Sequence, residues 1–124
     1  MPNGTSISVK NTAKAIILDG SKVLLLKKAY EDGRIIYTLP GGGQEPGETL
    51  EQAVIREVLE EVAATVQVLG LVNIYEHQRP SRSKPDTFKH KIEFTFICKL
   101  LTPYQPAMGH HPDPHQVAVE WIDT

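Results

Sequence analysis

Hydrophobic and polar positions alternate along most of this chain with the period of β-strands, and one stretch breaks that rhythm. Residues 12–18 and 22–28 are rich in Ile, Val and Leu, and Asp19-Gly20 between them is a tight-hairpin signal. The two runs are expected to pair antiparallel. A turn at Glu31-Asp32-Gly33 leads into a strand over 34–39. Residues 65–75 again read as a strand, with Gly70 marking a bulge or bend. Residues 89–101 alternate most clearly, Ile92, Phe94, Phe96 and Cys98 against Lys91, Glu93, Thr95, Ile97 and Lys99. A short last strand over 117–122 contains the only tryptophan, Trp121. Residues 1–11 read as a polar lead-in, and 12–124 as one domain.

The exception is GGGQEPGETLEQAVIREVLEEVAA, residues 41–64. Three glycines, Gly41, Gly42 and Gly43, let a ligand come close to the main chain. Pro46-Gly47 is turn chemistry, and Thr49 with Gln52 three residues on fits a capping box, predicting a helix over 50–62. On it, Glu57 and Glu61 are four residues apart and Glu60 is three from Glu57, so three carboxylates crowd one face. Such like-charge pairs each cost roughly 0.2–0.5 kcal/mol unless a cation relieves them. Hard divalent ions do so through oxygen ligands, keeping water and substrate phosphate in the remaining positions.

Spacing adds a further acid, Glu48, ahead of the helix, and Arg56 directly before Glu57. Gly42, Glu48, Arg56, Glu57, Val58, Glu60 and Glu61 fall in register with G-x5-E-x7-R-E-U-x-E-E-x-G-U, where U is a bulky aliphatic residue. The chain therefore resembles the Nudix hydrolase superfamily. Two positions depart: Ala63 stands where the pattern closes on glycine, and Ala64 is small for an aliphatic site. Glycine there would be a left-handed helix cap, so alanine is expected to cost about 1 kcal/mol or to alter the helix exit.

The resemblance implies an α/β/α sandwich with a mixed sheet and metal-dependent hydrolysis of a diphosphate linkage in a nucleoside diphosphate derivative. It implies Mg2+ or Mn2+ held by Glu57, Glu60 and Glu61, and a proton-accepting glutamate that is Glu57 or Glu60, with Glu93 and Glu120 as outside candidates. Arg56 is expected to orient Glu57 and to pair with Glu48, and Gly41, Gly42 and Gly43 to help bind metal or phosphate. The alternative is a non-catalytic nucleotide sensor, against which the intact acids argue. Relatives commonly place a second helix after the last strand, whereas this chain stops at Thr124. Either the chain is truncated or another subunit, as in a homodimer, covers that sheet face.

Two polar segments are candidates for substrate contact. Residues 77–90 carry Arg79, Arg82, Lys84 and Lys89, and such a loop either folds over a phosphate-rich ligand or is a solvated hairpin tip. Residues 102–115 hold four prolines with His110, His111, Asp113 and His115, which are not spaced as a closed zinc site and are expected to rim the nucleotide end of the pocket or to be exposed.

Composition narrows the setting. With 124 residues, 40% of them hydrophobic and 23% charged, the chain has the makings of one core. Its net charge of −2 selects no partner class, and no stable nucleic-acid complex is expected. No apolar run approaches the roughly 20 residues of a membrane span. The N-terminus lacks the features of a signal peptide, and the single Cys98 suits a reducing compartment, so a cytoplasmic protein acting on a small nucleotide is expected.

Overall fold

The computed structural model describes residues 6–81 and 87–124. Seven strands and one helix follow in the order β1 (Ser6–Asp19), β2 (Lys22–Ala29), β3 (Ile35–Thr38), β4 (Gly41–Gly43), α1 (Leu50–Val62), β5 (Val66–Pro80), β6 (Thr87–Leu100) and β7 (Gln116–Asp123). The mixed sheet and the single helix both match the expected architecture. Among the described residues no helix is long and apolar enough to cross a membrane.

Strand β1 is the hinge of the topology. It meets β2 antiparallel at only two rungs, Leu18 with Val23 and Asp19 with Lys22, so the hairpin is real but short. Beyond it the strands part. β1 runs parallel to β6 from Ser6 to Ile17 and antiparallel to β4, whereas β2 is held by β3 and β7. Pairing with β6 also explains why β1 begins at Ser6: residues 6–11, read as part of a polar lead-in, obtain their ladder from residues 87–92, far along the sequence. β5 and β6 likewise extend to Pro80 and Thr87, so much of the segment read as a loop over 77–90 is paired strand. The irregularity expected at Gly70 is present, with register shifts between Val68 and Gly70 and between Leu71 and Asn73.

Helix α1 starts on the expected capping box. Gln52 N–H donates to Thr49 Oγ1 at 3.1 Å and Thr49 N–H donates to Gln52 Oε1 at 2.9 Å. Its apolar stripe, Ala53, Val54, Val58 and Val62, is buried against Ala13, Ala15 and Ile17 of β1, Leu24 and Leu26 of β2, and Phe96 and Cys98 of β6. Full burial of one such valine contributes about 1.5 kcal/mol or more. Cys98 is part of this core, as expected for a structural thiol.

The helix ends at Ala63, whose φ of 57° and ψ of 33° are left-handed, where glycine carries no penalty. Ala63→Gly is therefore expected to stabilise the fold by about 0.5–1 kcal/mol, the relief of Cβ strain outweighing the extra unfolded-state freedom. Urea unfolding followed by circular dichroism checks this, and a lower midpoint would contradict it.

Candidate active site

The last four carbonyls of a helix have no partner within it, and here each is met by a residue beyond Val62. Leu59 C=O accepts from Ala63 N–H, Glu60 C=O from His111 N–H at 2.9 Å, and Glu61 C=O from Gly109 N–H at 3.0 Å and Gln116 Nε2 at 2.8 Å. Val62 C=O accepts from the Tyr104 hydroxyl at 2.6 Å. The proline-rich segment 102–115 is thus a cap for α1 as well as a rim. It holds the turn that carries Glu60 and Glu61, a role that its composition does not announce.

At the other end, the three glycines form strand β4, not a free turn. Thr12, Ala13 and Lys14 of β1 pair with Gly43, Gly42 and Gly41 in that order, and the turn follows over 44–48. Two contacts make this close approach specific to glycine. A Cβ on Gly41 would lie 2.1 Å from the Ala13 carbonyl oxygen, and one on Gly42 would lie 2.6 Å from the Glu57 carboxyl carbon. The glycine strand is therefore pressed between β1 and the carboxylates of the helix.

Arg56 joins the loop to the helix. Its Nε donates to Glu48 Oε2 at 2.7 Å, Nη2 to Glu48 Oε1 at 2.9 Å and to Gly43 C=O at 3.0 Å, and Nη1 to Glu57 Oε1 at 2.9 Å and Glu60 Oε2 at 3.3 Å. The bidentate grip on Glu48 holds that carboxyl below the usual carboxylate range. One guanidinium thus serves three carboxylates. Glu61 lies outside its reach: it is buried, and its Oε1 accepts from Gly41 N–H at 2.8 Å. Burial pushes the Glu61 carboxyl up to about 7, the Gly41 N–H opposes this, and the Glu57 charge adds to it. Burial also raises Glu57, with Arg56 acting the other way.

These acids face a depression of about 380 Å³ that includes Gly41, Gly42 and the segment 111–114. Asp113 on that rim is tied to Lys28 Nζ at 3.3 Å, and His115 stacks on Tyr30 at 4.3 Å between ring centroids. Lys14, beside Gly41, is lowered by burial and then by Lys28, while Glu61 and Glu93 draw it up. Sequence reasoning passed over Lys14, for which a lone lysine within the apolar run of β1 was the available signal.

Of the other candidates, Glu93 lies 3.9 Å from His77, and Glu120 accepts from the Tyr37 hydroxyl at 3.4 Å on the exposed side of β7. Arg79 is on β5 and does not line the acid depression. Arg82 lies outside the described residues.

An oxygen-only donor set, more carboxylates than cations, and two acids held above their ordinary range by burial fit a hard divalent ion. Among the described residues no three ligand side chains already converge on a common metal position.

Fold and site together define a mixed-sheet domain built around a cluster of carboxylates on its one described helix. The family model for the NUDIX domain matches residues 9–124, and the chain belongs to that family. It is 35% identical over 92 residues to the ADP-ribose pyrophosphatase of Methanocaldococcus jannaschii, covering 70% of this chain and 52% of that protein. It is 38% identical over 72 residues to the 8-oxo-dGTP diphosphatase of Escherichia coli, covering 56% of each. The chain thus spans about half the length of these two relatives. A NUDIX hydrolase from Nitrosomonas europaea superposes with a TM-score of 0.74 at 28% identity, over 94% of this chain and 73% of that one.

Proposed function

We propose that the chain hydrolyses the diphosphate linkage of a nucleoside diphosphate derivative with the help of magnesium or manganese. The observation that carries this reading is the placement of Glu57 and Glu61 against Gly42 and Gly41, with Arg56 tying Glu48, Glu57 and Glu60 together. A pyrophosphatase and a diphosphatase among the relatives support the bond class; their substrates differ.

Glu57, Glu60 and Glu61 would hold the cation. Once bound, it neutralises charge on the non-bridging oxygens and acidifies a water molecule. The remaining work belongs to the chain. Arg56 fixes the orientation of Glu57 and Glu60, and the Gly41 N–H fixes Glu61. Glu57 or Glu60 takes the proton as the water oxygen bonds to phosphorus and the bridging P–O bond breaks, its electron pair leaving with the second phosphate. Gly41, Gly42 and Gly43 let that phosphate approach the backbone.

The test is release of a phosphomonoester from a panel of nucleoside diphosphate derivatives with magnesium or manganese. Glu57→Gln and Glu61→Gln are each expected to lower turnover by about a hundredfold or more. Absence of turnover across the panel, or full activity in both variants, would overturn the assignment.

A further inference from the structure

The segment 41–64 concentrates negative charge at one end of β1; the other end concentrates positive charge. Arg79 lies directly opposite Lys89, and Lys91 directly opposite Lys10, while Ser8 faces Lys89 and His77 faces Lys91. Residues paired across strands share a face, and like charges so placed are destabilising. Lys10, Arg79, Lys89 and Lys91 line a cavity of about 180 Å³ with Ser8, His77 and His90.

No ion pair among the described residues joins an acid to any of these four cations. The flanking acids pair with two histidines that line the cavity, Glu76 with His90 at 2.5 Å and Glu93 with His77 at 3.9 Å. Lys10, Arg79, Lys89 and Lys91 border a space several times the roughly 30 Å³ that a water molecule occupies in the liquid. Arginine forks and lysine point charges together suit the oxygens of a phosphate dianion.

The cavity and the acid centre share a strand. Lys10 precedes Lys14 by four residues on β1, about 13 Å at 3.3 Å per residue, and Lys14 pairs with Gly41. Lys14 also lies within the electrostatic reach of both Lys91 and Glu61, which places the two charged regions on one continuous flank.

We propose that the cavity formed by Lys10, Arg79, Lys89 and Lys91 is a second phosphate-binding site. Resting on the hydrolase reading above, the ligand of the acid centre then carries a further phosphate group, on the order of 13 Å along the strand from the bond that breaks. The same chemistry also suits a separate phosphate-bearing ligand, and the experiment distinguishes the two sources.

Inorganic phosphate and tripolyphosphate are titrated into the metal-free protein with EDTA present, with amide chemical shifts recorded. Saturable shifts centred on Lys10, Arg79, Lys89 and Lys91 are expected. Affinity should fall at least tenfold in the double variant Lys89→Gln, Lys91→Gln, persist in Glu57→Gln, and return in Lys89→Arg, Lys91→Arg. Unsaturable shifts, or equal affinity in the double variant, overturn the site. This arm needs no turnover, so it stands apart from failure of the hydrolase reading. Steady-state kinetics with paired substrates that differ only in a terminal phosphate on the second moiety then give the source. A tenfold rise in KM in the double variant, for the phosphorylated member alone, assigns the phosphate to the substrate. An equal response of both members to added inorganic phosphate, lost in the double variant, assigns it to a separate ligand.

Discussion

Gly41→Ala is expected to lower the stability of the fold by roughly 3 kcal/mol or more, from backbone strain and overpacking together. Gly41 has φ of 147°, and an added Cβ would meet the Ala13 carbonyl oxygen at 2.1 Å and Lys14 Cα at 2.7 Å. Both are backbone atoms of β1, which β4 and β6 grip from either side, so neither has room to yield. The neighbouring glycines separate this effect from a general sensitivity of the strand. Gly43→Ala meets nothing within 4 Å and should change stability by less than about 0.5 kcal/mol. Gly42→Ala meets only the Glu57 carboxylate, a side chain that can swing, and should chiefly lower activity by displacing it. Urea midpoints of the three variants, with turnover measured beside them, check the pattern; equal midpoints for Gly41→Ala and Gly43→Ala would show that β4 does not press on β1.

Metal-free protein is expected to lose about 2 kcal/mol of stability as pH rises from 5 to 7, at 1.36 kcal/mol per pKa unit. The sign follows from Glu61. Its carboxyl ionises near 4.5 when unfolded and near 7 when folded, because the folded site strips it of water. Between those values the folded state binds the extra proton, so raising pH favours unfolding. Glu48 works in the opposite direction, since Arg56 depresses it, but its contribution is complete above its ordinary value of 4.5. The window from 5 to 7 therefore belongs to Glu61, with Glu57 adding in the same direction. On the proposed reading magnesium binds the charged carboxylates and flattens the slope. Urea unfolding at several pH values, with EDTA or magnesium and in Glu61→Gln, measures this. A flat or rising profile in the metal-free wild-type chain would contradict the charge deficit assigned to this site.

Both expectations draw on residues that the sequence marked and on contacts that it did not. The capping box of Thr49 and Gln52, the helix over Leu50–Val62, the left-handed exit at Ala63 and the alternation of Phe94, Phe96 and Cys98 were all legible. Each depends on residues within a few positions of one another, where side-chain chemistry acts on its own backbone. The ordering of the acids on one helical face was legible for the same reason, because helical spacing alone sets it.

What lay beyond the sequence was the identity of remote partners. The start of β1 at Ser6, the recruitment of Gly41–Gly43 as a strand and the extension of β5 and β6 through Arg79 and Lys89 each depend on backbone hydrogen bonds to distant segments. Backbone N–H and C=O groups are alike at every residue, so the sequence does not label which of them will meet. The same holds for segment 102–115, whose composition suggested a ligand rim but whose backbone also closes the carbonyl end of α1. By itself, then, the sequence determined the carboxylate helix and the family it belongs to, through local spacing. Only the tertiary structure decided that Glu61 is buried beneath Gly41 while Arg56 holds the other acids, and that Lys10, Arg79, Lys89 and Lys91 share one face, because non-local strand pairing sets which charges meet and which are shut away from water.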